Sequence, residues 1–310
     1  MSQAFNILSI DGGGLRGVYP AHILSRMEEE FSVEWSRDFD LLAGTSTGSI
    51  IAAALALGLP AKRIVNLYEE HGRTIFEKSK LRPFGLFSSK YKSENLSNIL
   101  NDLFDGAKLG DIEVPLILPA TDLGNGGVHV FKSSYHNEFF RDKDVLVSEA
   151  VLASCSAPTY FPPTLAAGDK YLLADGGLWA NNPAFVAVID ARKRLEVSID
   201  DLRVLTIGTG IAKQFYPIKK HASKWGYGWG FATKWGHGKF IEMLLNLQSQ
   251  NANNMLNLTL SAEQILRINF ESDRKLPLDS PDELKDLITR ADHAFTHQSA
   301  RIKSFITKGK

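Results

Sequence analysis

Three short stretches of this 310-residue chain hold residue types whose spacing could do chemistry. The first, Asp11-Gly12-Gly13-Gly14-Leu15-Arg16-Gly17, follows the apolar run Phe5–Ile10 and opens a helical pattern. Several backbone N–H groups exposed at the start of a helix form an anion site, suited to a pyrophosphate or to the oxyanion of acyl transfer. Gly12, Gly14 and Gly17 also satisfy G-x-G-x-x-G, so these residues alone leave a dinucleotide-binding reading open. The second stretch, Gly44-Thr45-Ser46-Thr47-Gly48, is G-x-S-x-G between a strand pattern at 39–43 and an alanine-rich helical pattern at 47–57. A turn that sharp needs glycine two residues to either side of the serine. It lifts the hydroxyl clear of the sheet, at a helix end whose dipole favours developing negative charge. The third, Asp175-Gly176-Gly177, ends the apolar run 171–174 and puts a carboxylate at the C-terminal edge of a sheet.

A serine hydroxyl is a poor nucleophile until a base takes its proton. Of the eight histidines, His293 and His297 could complete a Ser–Asp–His order, but both fall inside an amphipathic helical pattern at 283–306. Their i, i+4 spacing mimics a metal pair, yet the glutamate of H-E-x-x-H is missing. A dinucleotide-binding protein would need an acidic residue ending the second strand, and the region about twenty residues past Gly14 offers only Glu34, ahead of any strand. A Ser–Asp–His esterase and a non-catalytic dinucleotide binder are thus two readings that these residues leave open.

The elements that must position these residues follow from periodicity. Strands are expected at 5–10, 39–43, 114–120, 128–132, 171–174, 204–207 and 265–270. Helices are expected at 18–31, 47–57, 61–75, 93–104, 145–153, 184–195, 240–258 and 283–306. Alternating strands and helices predict right-handed βαβ units and a mostly parallel sheet covered on both faces. In the last helix Leu284, Leu287, Ile288, Ala291, Phe295, Ile302 and Phe305 mark the stripe expected to face the core.

Taken in order, Asp11-Gly-Gly-Gly-Leu-Arg-Gly17, Gly44-Thr-Ser-Thr-Gly48 and Asp175-Gly-Gly177 resemble the patatin-like phospholipases. Ala153-Ser-Cys-Ser-Ala-Pro-Thr-Tyr-Phe-Pro162 and Leu178-Trp-Ala-Asn-Asn-Pro183 resemble the segments that flank that family's catalytic aspartate. The likeness runs from about residue 6 to 210. It implies a three-layer α/β/α hydrolase with a mostly parallel sheet, acting on the acyl esters of membrane phospholipids. It also implies a nucleophile at Ser46, a single catalytic partner at Asp175, and an oxyanion turn built from Gly12, Gly13, Gly14 and Arg16. No metal or organic cofactor is implied. The expected organisation is a catalytic core at 1–210 and a C-terminal extension, 211–310, packed on the same domain.

Between residues 202 and 241 there are seven lysines and arginines and no acidic residue, and three of the five tryptophans lie within eleven positions. Lysine mixed with aromatics suits a lipid interface, or a polyanionic nucleotide stacked by rings. A glycine-rich loop whose aromatics pack on the core would look the same. Lys219, Lys220, Lys224, Trp225, Trp229 and Trp235 are the candidate contacts. This segment and the Gln/Asn-rich helix after it resemble the bacterial CBASS anti-phage phospholipase effectors. That likeness implies a cyclic dinucleotide activator and allows a homo-oligomer.

Composition sets the outer limits. One cysteine excludes an internal disulfide and points to a reducing compartment. Thirty-five basic residues against thirty-five acidic ones argue against a nucleic-acid polymer as partner. The longest apolar stretch, 50–57, is far short of the ~20 residues of a membrane span. The N-terminus lacks the basic flank and apolar region of a signal peptide. A cytoplasmic protein acting peripherally at the inner membrane is expected.

Overall fold

Apolar runs and helical patterns close into one eight-stranded sheet in the computed structural model, which describes residues 4–77, 89–212, 239–274 and 276–307. Its strands are β1 (Phe5–Ile10), β2 (Leu41–Gly44), β3 (Leu116–Asp122), β4 (Gly127–Lys132), β5 (Thr164–Ala166), β6 (Tyr171–Asp175), β7 (Leu202–Ile207) and β9 (Ile265–Ile268). Two further short strands, β8 (Ile211–Ala212) and β10 (Glu271–Ser272), pair with each other. The order is β5-β6-β3-β2-β1-β7-β9, with β4 on the other edge of β3. β3, β2, β1, β7 and β9 run parallel to one another, whereas β4 and β6 are antiparallel to β3 and β5 is antiparallel to β6.

Alternate side chains serve opposite faces. Leu8 and Leu42 join the larger core, formed with α1 (Val18–Phe31), α3 (Thr47–Ala56), α4 (Ala61–Ile75), α5 (Ser93–Phe104) and α6 (Val147–Cys155). Ile7, Leu41, Ala43 and Ile117 join the second core, against α8 (Ala184–Arg194) and α9 (Lys239–Thr259). The result is the three-layer α/β/α arrangement expected. All ten residues of α3 are buried, which is why its sequence is apolar on every side and carries no amphipathic stripe. The last helix, α10 (Leu284–Thr307), buries Leu284, Leu287, Ala291, Phe295, Ile302 and Phe305, while Ile288 is half-buried. Two short helices, α2 (Trp35–Asp38) and α7 (Gly177–Ala180), complete the set.

The strand β5 was not anticipated: three residues are too few to show a period. Several bounds also shift by about two residues, the ordinary scatter of element ends.

One topological detail builds the site. β4 occupies one edge of β3 from Ile117 to Asp122. The opposite edge is shared: β2 pairs with Leu116 and Ile117, and β6 with Ala120 to Asp122. Because β6 is antiparallel to β3 and β2 is parallel, their C-terminal ends approach head-on. One ends in Gly44-Thr45-Ser46 and the other in Asp175-Gly176. Pro119, which has no N–H for a neighbour, lies at the junction.

Candidate active site

Ser46 sits at the tip of the β2–α3 turn with φ 55° and ψ −125°, a backbone conformation a non-glycine residue adopts only under constraint. The flanking glycines supply that constraint. A Cβ on Gly44 would fall on the Gly48 carbonyl oxygen, and one on Gly48 would fall on the Ile10 carbonyl oxygen. Ser154, at the end of α6, pins the tip. Its Oγ accepts the Ser46 N–H at 3.0 Å and donates to the Pro119 carbonyl at 2.7 Å. The Ser46 hydroxyl is half-buried.

That hydroxyl lies against the carboxylate of Asp175. Asp175 is 3% exposed, and burial pushes its pKa from the ordinary 3.8 up to about 6. The Gly177 N–H, donating to Asp175 Oδ1 at 2.6 Å, and the Ser46 hydroxyl both act in the opposite direction. Desolvation therefore wins over two hydrogen bonds, leaving a carboxyl that is ionised at neutral pH and yet takes up a proton readily. Cys155 lies on the same side, buried, with its thiol pKa raised by burial and by Asp175; it is held as an inert thiol.

The glycine turn reaches Ser46 from β1. A Cβ on Gly12 would stand 3.1 Å from Ser46 Cβ. Gly12 itself is spent: its N–H donates to the Asn181 carbonyl at 2.9 Å, and its own carbonyl accepts the Thr209 hydroxyl at 2.7 Å. The next carbonyl, that of Gly13, accepts the Arg16 N–H and Arg16 Nε, each at 3.2 Å. A trans peptide is planar, so holding a carbonyl on one side fixes the following N–H on the other. Thr209 thus aims the Gly13 N–H, and Arg16 aims the Gly14 N–H. Neither N–H has an acceptor among the described residues. Gly14 has φ 59°, so glycine is the residue this position requires. The Arg16 guanidinium is buried against the Gly13 carbonyl and, at 3.4 Å, that of Leu276. It braces the turn.

The structure therefore brings Ser46, Asp175 and the turn of Gly12, Gly13, Gly14 and Arg16 together. No histidine hydrogen-bonds Ser46 or Asp175 among the described residues. His293 and His297 pack against each other with tilted rings, exposed, on α10. No group of three or more His, Cys, Asp and Glu side chains fit to hold a metal ion occurs among the described residues. Lys219, Lys220, Lys224, Trp225, Trp229 and Trp235 lie outside the described residues.

Five residues that hold this site were not singled out from the sequence. Ser154 and Asn181 fall in the two segments, 153–162 and 178–183, that resemble the flanks of the family's aspartate, a likeness that assigns them no role. Thr209, Ser249 and Arg267 carried no local signal, because their partners lie 197, 238 and 256 positions away.

Residues 8–188 match the family model described as "Patatin-like phospholipase". The chain is similar to the "cGAMP-activated phospholipase" of Pseudomonas aeruginosa (strain BWHPSA011 / Pa011), with 32% identity over 287 residues, 91% of this chain and 81% of that one. It is also similar to the "cUMP-AMP-activated phospholipase" of Escherichia coli, with 29% identity over 314 residues, 97% of this chain and 93% of that one. Among solved structures, VipD from Legionella pneumophila superposes with a TM-score of 0.52 at 11% identity, over 96% of this chain and 67% of that one. That last likeness is one of fold.

Proposed function

Because the chain belongs to the patatin-like phospholipase family, we propose that it hydrolyses acyl esters of membrane phospholipids with Ser46 as nucleophile and Asp175 as its only base. The observation that carries this reading is the Ser46 hydroxyl against a buried carboxylate with a pKa of about 6, where two strand ends meet.

Ser46 Oγ forms a bond to the acyl carbon while its proton passes to the Asp175 carboxylate. The carbonyl electron pair moves onto oxygen, and the N–H groups of Gly13 and Gly14 receive that oxyanion. Collapse breaks the ester C–O bond, and the departing lysophospholipid oxygen takes the proton from Asp175. Water then attacks the acyl–Ser46 ester and gives a proton to Asp175. Ser46 Oγ recovers that proton as the fatty acid leaves. An exposed carboxylate would be a weak base for the first step; the buried one lies closer to the pKa such a transfer needs.

The names of the relatives support a cyclic dinucleotide as the activator; a role as an anti-phage effector rests on the resemblance to the CBASS effectors. No helix among the described residues is long and apolar enough to cross a membrane, in keeping with peripheral action on the inner membrane. Residues 1–210 would form the catalytic core and 211–310 an extension on the same domain.

Fatty-acid release from phospholipid vesicles, measured with and without a panel of cyclic dinucleotides, tests this. Release that depends on one of them and is absent in Ser46→Ala is expected. Release indifferent to all of them would remove the regulated part, and no release under any condition would remove the phospholipase reading.

A further inference from the structure

The carboxylate that opens the glycine motif, Asp11, takes no part in the chemistry above, yet it is 2% exposed. Both of its oxygens are occupied by residues from the C-terminal third. Arg267, on β9, donates Nη1 to Oδ1 at 2.7 Å and Nη2 to Oδ2 at 2.6 Å, a two-pronged ion pair. Ser249, on α9, donates its hydroxyl to Oδ2 at 3.0 Å. A serine has one O–H, so the Ser249 oxygen can only accept from its other neighbour. That neighbour is Asn181, whose Nδ2 donates to Ser249 Oγ at 2.9 Å.

A polar chain of fixed direction results, from Arg267 to Asp11, with Ser249 and then Asn181 donating towards that carboxylate. It settles which way the Asn181 amide faces. Oδ1 is left on the side of the catalytic pair: the point where a Cβ on Gly177 would lie is 2.9 Å from Asp175 Oδ1 and 3.0 Å from Asn181 Oδ1. The backbone carbonyl of the same Asn181 holds the Gly12 N–H, and so fixes where the glycine turn begins. Two other backbone contacts come from the same third of the chain. Leu278 accepts the Leu15 N–H at 2.8 Å, and Leu276 accepts from Arg16.

We propose that Ser249 and Arg267 are positioning residues for the oxyanion turn, acting through Asp11 and Asn181, so that the seating of α9 and β9 sets the aim of the Gly13 and Gly14 N–H groups. This rests on the proposed Ser46–Asp175 hydrolysis. Ser249 and Arg267 touch neither substrate nor reacting atoms. Arg267 closes one end of the network and Ser249 links Asp11 to Asn181, so that losing either leaves a polar group unpaired. Displacement of oxyanion donors by a fraction of an ångström lowers kcat and leaves ground-state binding alone.

The test is steady-state kinetics of the full-length protein on a soluble p-nitrophenyl ester, in the presence of the cyclic dinucleotide panel used with the vesicles, with circular dichroism confirming that each variant is folded at the assay temperature. Ser249→Ala is expected to lower kcat by roughly tenfold to a hundredfold with KM unchanged. Arg267→Lys keeps the charge but loses the two-pronged fit, and is expected to do the same. Since both act on one carboxylate, the double variant should be little worse than the more damaging single one. A folded Ser249→Ala with wild-type kcat, a rise in KM at constant kcat, or strictly multiplicative losses in the double variant would each overturn the proposal. In those outcomes the wild type and Ser46→Ala still differ, so the hydrolase reading stands. A wild type that equals Ser46→Ala removes both.

Discussion

On folding, the Asp175 carboxyl loses its water, and that loss acts on reactivity and on stability in opposite senses. Asp175 must be ionised to accept the Ser46 proton, so kcat/KM on a soluble ester should fall as pH drops through about 6, roughly tenfold per pH unit below it. A profile that breaks near 4 would mean the working carboxyl is exposed. For stability, the folded-state pKa stands above the unfolded one, so the folded protein binds the proton more tightly. The advantage is complete below about 3.8 and is lost as pH rises through about 6. At neutral pH the buried charge costs about 3 kcal/mol. Asp175→Asn, which keeps an acceptor for the Gly177 N–H, should therefore abolish hydrolysis and raise the melting temperature at pH 7. It should give no such gain at pH 4. A lower melting temperature at pH 7 would contradict this assignment of cost.

The elements that present these groups are held by contacts that are mostly not local. The Ser46 turn was legible in the sequence because sterics leave few alternatives: glycines at 44 and 48 around a serine, between an apolar strand and an alanine-rich helix. Asp175 was legible as the end of an apolar run. What the sequence could not show is that β2 and β6 meet end to end along one edge of β3, since that depends on pairings more than 50 residues apart. It also could not show that Ser154 clamps the junction. Ser154→Ala would leave the Ser46 N–H and the Pro119 carbonyl without a partner, at a cost of ~1–3 kcal/mol each for groups this buried. The expected result is a folded protein with a lower melting temperature and kcat reduced about tenfold, through misplacement of the serine. Wild-type kcat in that variant would show that the turn holds its shape without the clamp. Gly48→Ala is a harsher change, since its Cβ meets the Ile10 backbone rather than a flexible side chain, and it should lose activity altogether.

At the scale of the molecule, the C-terminal third is part of the sheet and of the core. β9 pairs in parallel with β7 from Val204 to Ile207, and α10 buries Ala291 and five large apolar side chains, the latter each worth ~1.5–3 kcal/mol when fully covered. A chain ending after Gly210 would leave β7 as a bare edge beside an uncovered apolar face, a combination that favours aggregation. Residues 1–210 expressed alone should be insoluble or unfolded by circular dichroism; a soluble fragment with a cooperative melt would contradict this. The same dependence gives the neutral charge balance a different meaning. A sum of zero hides the run from 202 to 241, with seven basic residues and no acidic one, which spans β7 to the first turn of α9 in the chain. The run ends in the first turn of α9, the helix whose Ser249 holds Asp11.

The central claim, a serine activated by one aspartate with no histidine, is tested most directly by covalent labelling with a fluorophosphonate and mapping of the adduct by peptide mass spectrometry. The account predicts one adduct per chain on Ser46, none in Ser46→Ala, and labelling slowed at least a hundredfold in Asp175→Ala. A His293→Ala, His297→Ala double variant should label at the wild-type rate. Wild-type labelling in Asp175→Ala, or its loss in the double-histidine variant, would contradict the account.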